Sequence, residues 1–207
     1  PNELWQMDVT YLHIPGFGWH YAVTTIDYYS RYLLACHLTT SYCAAEVIQA
    51  LRLARAEAEE TVGPLRKMPF LVTDNGPSFI ARRFGRYIED QYRHVRIQYR
   101  TPTQLGLLER FHRTLKEEEI YWRLYDDPAH CRACLAEFRQ RYNTRRPHWA
   151  LVPEDGGDPL VPLEVFRGDR RVGIPRWQQW ARAAQARLEQ LLAAEEARDN
   201  DALPTAE

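Results

Sequence analysis

The first forty residues constrain the fold more than any other part of the chain. "LWQMDVTYLHI", "WHYAVTTIDYYS" and "RYLLACHLTT" are rich in β-branched and aromatic residues. Only "PGFG" and the short turn at Ser30-Arg31 separate them. Parallel neighbours need a long crossover, so three strands joined this closely must run antiparallel. The pattern then turns helical. "SYCAAEVIQALRLARAEAEETVG" carries Ala44, Val47, Ile48, Leu51 and Ala54 at three-four spacing, with Ser41 as the expected cap. "MPFLVT" reads as a short buried strand and "PSFIARRFGRYIEDQY" as one helix with Pro77 in its first turn. "HVRIQYR" is a fifth strand, "TPTQLG" a loop, and helices over about 106–124 and 128–143 follow. The expected class is α/β, a mixed five-stranded sheet with three antiparallel strands plus two parallel ones, flanked by helices.

Residues 153–174 contain "PEDGGDPLVP" and read as a linker or insertion. Residues 175–198 predict an amphipathic helix with Trp177, Trp180, Ala184, Leu188 and Leu191 along one side, suited either to folding back on its own core or to packing on a second copy. Residues 199–207 have the composition of a disordered tail. A start at Pro1 without Met suggests a piece excised from a longer chain.

The net charge of −1 says little about partners. Its distribution says more. Residues 93–149 hold twelve Lys/Arg against seven Asp/Glu, and residues 154–207 seven against eleven. A basic middle suits a polyanion, and equally suits a solvated helical face. There is no signal pattern and no long apolar run, so a cytoplasmic, non-membrane setting is expected. Four cysteines in 207 residues do not suggest a disulfide framework. Cys131 and Cys134 lack the further ligands that zinc needs, and read as core thiols.

Three carboxylates stand out. Asp74 ends the strand "FLVT" on the turn "DNG", where Asn75 and Gly76 tolerate positive φ. It is either an Asx-turn residue or a functional acid at the carboxyl edge of the sheet. Asp8 lies inside an apolar strand, where an uncompensated charge is costly. Glu109 opens a helix whose apolar stripe is Leu108, Phe111 and Leu115. With Arg113 and Lys116 it forms a separate stripe, either a surface ion pair or a metal ligand beside a phosphate backbone.

"WQMDVTYL", "TTIDYYSRYLLACHLT", "VTDNGPSF", "TPTQLGLLERFHRTLKEE" and "YNTRRPHWAL" occur in the order of the integrase catalytic core of DDE transposases. The chain resembles bacterial insertion-sequence transposases, which share this core with retroviral integrases, over roughly residues 3–152. The resemblance implies an RNase H-like fold. It also implies a catalytic and metal-binding triad of Asp8, Asp74 and Glu109, with 35 positions from Asp74 to Glu109. The implied cofactors are two Mg²⁺ or Mn²⁺ ions, with Asp8 best placed to be shared. The implied partner is DNA, as transposon ends and target, bound by a homo-oligomer. Expected DNA contacts are Arg110, Arg113, Lys116, Arg145, Arg146 and His148; "YNTRRPH" reads equally as a structural helix end. Asp27, an acid that recurs in the family, is expected to be structural. Leu105 and Leu107 stand where the family has Asn and Lys, which removes one phosphate contact. The implied activity is metal-dependent DNA cleavage and strand transfer. Rival readings are an idle DNA-binding or assembly factor, and a nuclease that cuts without joining.

Overall fold

The computed structural model describes residues 1–96 and 106–172, together with Gln190 and Ala193. Residues 1–171 form one compact unit, and residues 172–207 a second. The expected helix over 175–198, the tail over 199–207 and the end of the expected fifth strand lie outside the described residues, the two exceptions aside.

Five strands build the sheet: β1 (Leu4–Ile14), β2 (Gly18–Asp27), β3 (Leu33–Thr39), β4 (Phe70–Thr73) and β5 (Arg93–Arg96). Their order is β3-β2-β1-β4-β5. The first three are antiparallel neighbours, while β4 runs parallel to both β1 and β5. This is the mixed sheet that the short turns and the later crossovers demand.

Strand alternation divides the side chains between two cores. Trp5, Met7 and Val23 face α1 (Ala44–Val62) and α3 (Arg82–Ile88). Leu12, Ile14, Ala22 and Ile26 face α4 (Gly106–Glu118) and α5 (Pro128–Arg145). Between Thr25 and Ile26 the register with β3 slips, and Leu34 falls in the slip. That bulge lets the consecutive residues Leu34 and Ala35 both enter the α1 side of the core. Asn143 of α5 pins the same strand. Its Oδ1 accepts from Leu33 N at 2.8 Å, and its Nδ2 donates to Leu33 O at 3.0 Å.

Several elements depart from expectation. The predicted single helix after β4 is two, α2 (Pro77–Ile80) and α3, broken at Ala81 with ψ 136°. An unbroken helix would set residues 79 and 84 about 140° apart. The break lets Phe79 and Phe84 meet edge to face in one core, with ring centroids 5.5 Å apart. The N-cap of α1 is Cys43 rather than Ser41, and no side chain caps it. Helix α4 stops at Glu118, and a 3₁₀ turn covers Ile120–Trp122. The stretch read as linker contains α6 (Pro162–Arg167), started by Glu164, whose carboxylate accepts from Val161 N at 3.1 Å. Phe166 of α6 stacks on Tyr32 at 4.3 Å, so this segment contributes to the core. Asp27 is fully buried and structural: it accepts from Asn2 N, Ser30 N and Ser30 Oγ. Cys131 and Cys134 are buried in the α4–α5 core, as read from the sequence.

Candidate active site

Asp8 sits in the middle of β1, opposite Thr24 of β2. The β1–β4 register ends at Gln6↔Val72. Extended by two residues, one of them past the end of β4, that register brings Asp8 level with Asp74. Alternation aims Asp8 at the same side of the sheet as Leu12 and Ile14, the side covered by α4. Glu109 lies in the first turn of α4. Two strands and one helix thus bring three distant carboxylates to one region of the sheet.

Backbone amides fix two of these groups. Val9 N donates to Asp8 Oδ1 at 2.8 Å, and Gly76 N donates to Asp74 Oδ1 at 2.9 Å. Asp74 therefore is an Asx-turn residue as well as a strand-end acid. The glycine after it is needed for space and not for positive φ. Gly76 has φ −59°, and a Cβ there would collide with the Tyr42 hydroxyl and lie 2.9 Å from Asp74 Oδ1.

Burial pushes the Asp8 carboxyl up to about 6, and the charges of Asp74 and Glu109 add to the rise. Burial raises the Tyr42 phenol too, helped by Asp74 and Asp8. His112 closes the floor: its Nε2 is 2.8 Å from Thr24 Oγ1, and its Nδ1 is 3.7 Å from Asp8 Oδ2. Burial, then the Lys116 charge, holds this imidazole down near 4, so it is neutral at pH 7. His112, Thr24 and Tyr42 were not singled out from sequence. Hairpin pairing already sets Thr24 opposite Asp8, and His112 is three residues beyond Glu109 on a helix.

The predicted DNA contacts divide. Arg110, Arg113 and Arg145 are exposed, and Lys116 is half-buried with its Nζ 4.9 Å from the centre of the Tyr11 ring. Among the described residues Glu109 and Arg113 form no ion pair. Arg146 is engaged elsewhere, gripping Glu118 through Nε at 3.0 Å and Nη2 at 2.7 Å. His148 is half-buried: its amide donates to Leu160 O and its Nδ1 accepts from Ala150 N. Burial and the Arg31, Arg146 and Arg110 charges lower it to about 4, so it is a neutral, structural group at pH 7.

The donor set suits a hard divalent cation, since all three groups are carboxylates. The Asp8 carboxyl is raised first by burial and then by the Asp74 and Glu109 charges, and a bound cation would offset both. Among the described residues no group of three or more His, Cys, Asp or Glu side chains is placed to hold a metal ion.

An integrase core domain model matches residues 1–106, and a second integrase core domain model matches residues 90–152. The chain belongs to the integrase core family. Its curated relatives include the 39.2 kDa protein of insertion element IS476 from Xanthomonas euvesicatoria, 27% identical over 150 residues, covering 72% of this chain and 41% of that protein. The 31.7 kDa protein of IS407 from Burkholderia multivorans is 29% identical over 159 residues, covering 73% and 52%. This integrase-core chain spans about half or less of the length of these two relatives. The Gag-Pro-Pol polyprotein of sheep pulmonary adenomatosis virus is 37% identical over 121 residues, covering 57% of this chain and 6% of the polyprotein. In fold, the integrase core of this chain is similar to the HTLV-2 integrase catalytic core solved with magnesium, at TM-score 0.56 and 20% identity over 72% of this chain and 91% of that one. It is also similar to the BIV integrase core, at TM-score 0.53 and 20% identity, covering 82% and 96%. The sheet is therefore the RNase H-like one.

Proposed function

We propose that this chain is the catalytic core of a bacterial insertion-sequence transposase, which cuts a DNA strand and joins a 3′ end to target DNA. The observation that carries this reading is the placement of Asp8: a half-buried carboxylate in mid-strand, level with Asp74 and sensing Glu109 on the helix that covers its side of the sheet. Asp8, Asp74 and Glu109 would hold divalent ions, Mg²⁺ or Mn²⁺. Two such ions supply Lewis acidity to the attacking and leaving oxygens of a phosphodiester.

The chain's own residues set the stage. The Val9 and Gly76 amides orient one oxygen each of Asp8 and Asp74 and leave the other oxygen for a ligand. Neutral His112, backed by Thr24, supports Asp8 without neutralising it. Arg110, Arg113 and Lys116 lie on the helix of Glu109 and would take phosphates of the bound strand, giving affinity rather than base readout. Arg145, also exposed, would extend that basic surface along α5. The DNA would be transposon ends and target, held by an oligomer in the bacterial cytoplasm, with residues 175–198 as an assembly element. No helix among the described residues is long and apolar enough to cross a membrane.

A strand-transfer assay with a pre-cleaved 3′-hydroxyl end and Mg²⁺ tests the reading. Joined product is expected, and Asp8→Asn, Asp74→Asn and Glu109→Gln should each abolish it while the fold persists. Cutting without joining would make the protein a nuclease, and neither activity would leave a DNA-binding or assembly factor.

A further inference from the structure

The β1–β2 hairpin runs past the carboxylates and presents an unusual surface. Tyr11 is 59% exposed and Trp19 62% exposed, both large rings with little covering them. They meet edge to face at 5.5 Å, and His13 meets Trp19 at 5.2 Å. Pairing of Tyr11 with Tyr21 and of His13 with Trp19 puts all four on one side of the hairpin. That side is the one shared by Trp5, Met7 and Val23, opposite the side to which Asp8 points, and among the described residues only Tyr42 links it to the acids. Tyr21 lies 6.1 Å from Tyr42, whose hydroxyl stands beside Gly76 and senses Asp74 and Asp8.

The electrostatics favour an anion. Residues 9–26 contain no Asp or Glu. The paired register of β1 with β4 stops at Gln6, and the Lys116 ammonium comes to 4.9 Å from the centre of the Tyr11 ring. Exposed rings, an adjoining cation and no carboxylate are the features of a surface that stacks bases while holding their phosphates. A duplex cannot use such rings, because its bases are already stacked. An unpaired segment can.

Resting on the transposase reading, we infer that Tyr11 and Trp19 form a stacking platform for unpaired nucleotides at the end of the bound DNA. The chemical class recognised is single-stranded DNA, without base preference. Stacking also holds a frayed end open.

The test is a binding titration by fluorescence anisotropy in metal-free buffer, so that catalysis plays no part. The full chain is compared on a blunt duplex and on the same duplex with three unpaired terminal nucleotides. Wild-type protein should prefer the frayed DNA. Trp19→Ala should weaken frayed-end binding roughly tenfold and leave blunt binding unchanged. Trp19→Phe, which keeps a ring, should retain most of the preference, and Tyr11→Ala should behave like Trp19→Ala. Equal binding of both DNAs by wild type, or equal losses on both in Trp19→Ala, would overturn the platform while leaving the transposase reading intact. Binding of neither DNA overturns both. A drop in solution mass on Trp19→Ala, with the frayed-end preference kept, would make the surface a contact between copies of the chain instead.

Discussion

The hydroxyl of Tyr42 fills the space where a side chain at Gly76 would begin. This contact holds the turn after β4 against the start of α1, and with it the carboxylate of Asp74, whose Oδ1 accepts from Gly76 N. Gly76→Ala should therefore destabilise through overpacking, by about 1–3 kcal/mol, although its φ suits any residue. Tyr42→Phe removes the obstructing oxygen. The double variant should recover much of the loss, so urea titrations of all four proteins should give a coupling energy well away from zero. Additive effects would mean that the turn moves freely.

Asn143 should be a stability residue with no part in chemistry. Its amide satisfies both polar groups of the Leu33 backbone beside the β3 bulge. Asn143→Ala would leave a buried donor and acceptor unpaired, at a cost of about 2–4 kcal/mol. The expected signature is a lower urea midpoint with an unchanged slope. Residual folded protein should keep its DNA affinity.

Lys116→Ala should weaken binding of every DNA sequence alike and reduce the slope of log affinity against log salt by about one. The half-buried ammonium lies beside Tyr11, on the helix that carries Glu109. Arg146→Ala makes a useful contrast. Its guanidinium is tied to Glu118, so its loss should cost stability and barely change the salt slope. Salt titrations of the two variants separate a phosphate contact from a structural ion pair.

These contrasts show where sequence carries information and where it stops. The antiparallel pairing of the first three strands was legible because short turns allow only antiparallel neighbours, and the buried side of α4 because the Leu108, Phe111 and Leu115 stripe declares it. Asp8 was legible because a carboxylate is costly inside an apolar strand, while Asp74 and Glu109 joined it as a set only through the resemblance to the integrase core. Other features depend on contacts between distant parts of the chain. Thr24 and His112 meet across 88 positions, and no local pattern announces that pairing. The break at Ala81 follows from the need to seat Phe79 and Phe84 in one core, against good local helix-forming sequence. Gly76 was legible as a turn residue, but for the wrong physical reason, since the constraint comes from Tyr42. Arg146 was expected either to touch phosphate or to belong to a structural helix end, and its sequence neighbours say nothing of Glu118, 28 positions away.

Asp8 should make the folded protein less stable as pH rises, until metal is added. Burial, with the charges of Asp74 and Glu109, moves its carboxyl to about 6 from 3.8 for a free aspartate. Between those values the folded chain holds a proton that the unfolded chain has released. Stability attributable to this group is therefore present below about pH 4 and is lost as pH rises toward 6. The full loss is at most about 3 kcal/mol, from a shift of about two units. Asp8→Asn keeps an acceptor for Val9 N and carries no charge. In metal-free buffer at pH 7.5 it should melt several degrees above wild type, and near pH 4 the two should melt together. Millimolar Mg²⁺ should raise the wild-type melting temperature, because a cation that binds only the folded state stabilises it. It should leave Asp8→Asn nearly unchanged. Parallel melting curves for the two proteins across the whole pH range, with or without Mg²⁺, would show that Asp8 is neither electrostatically strained nor a metal ligand.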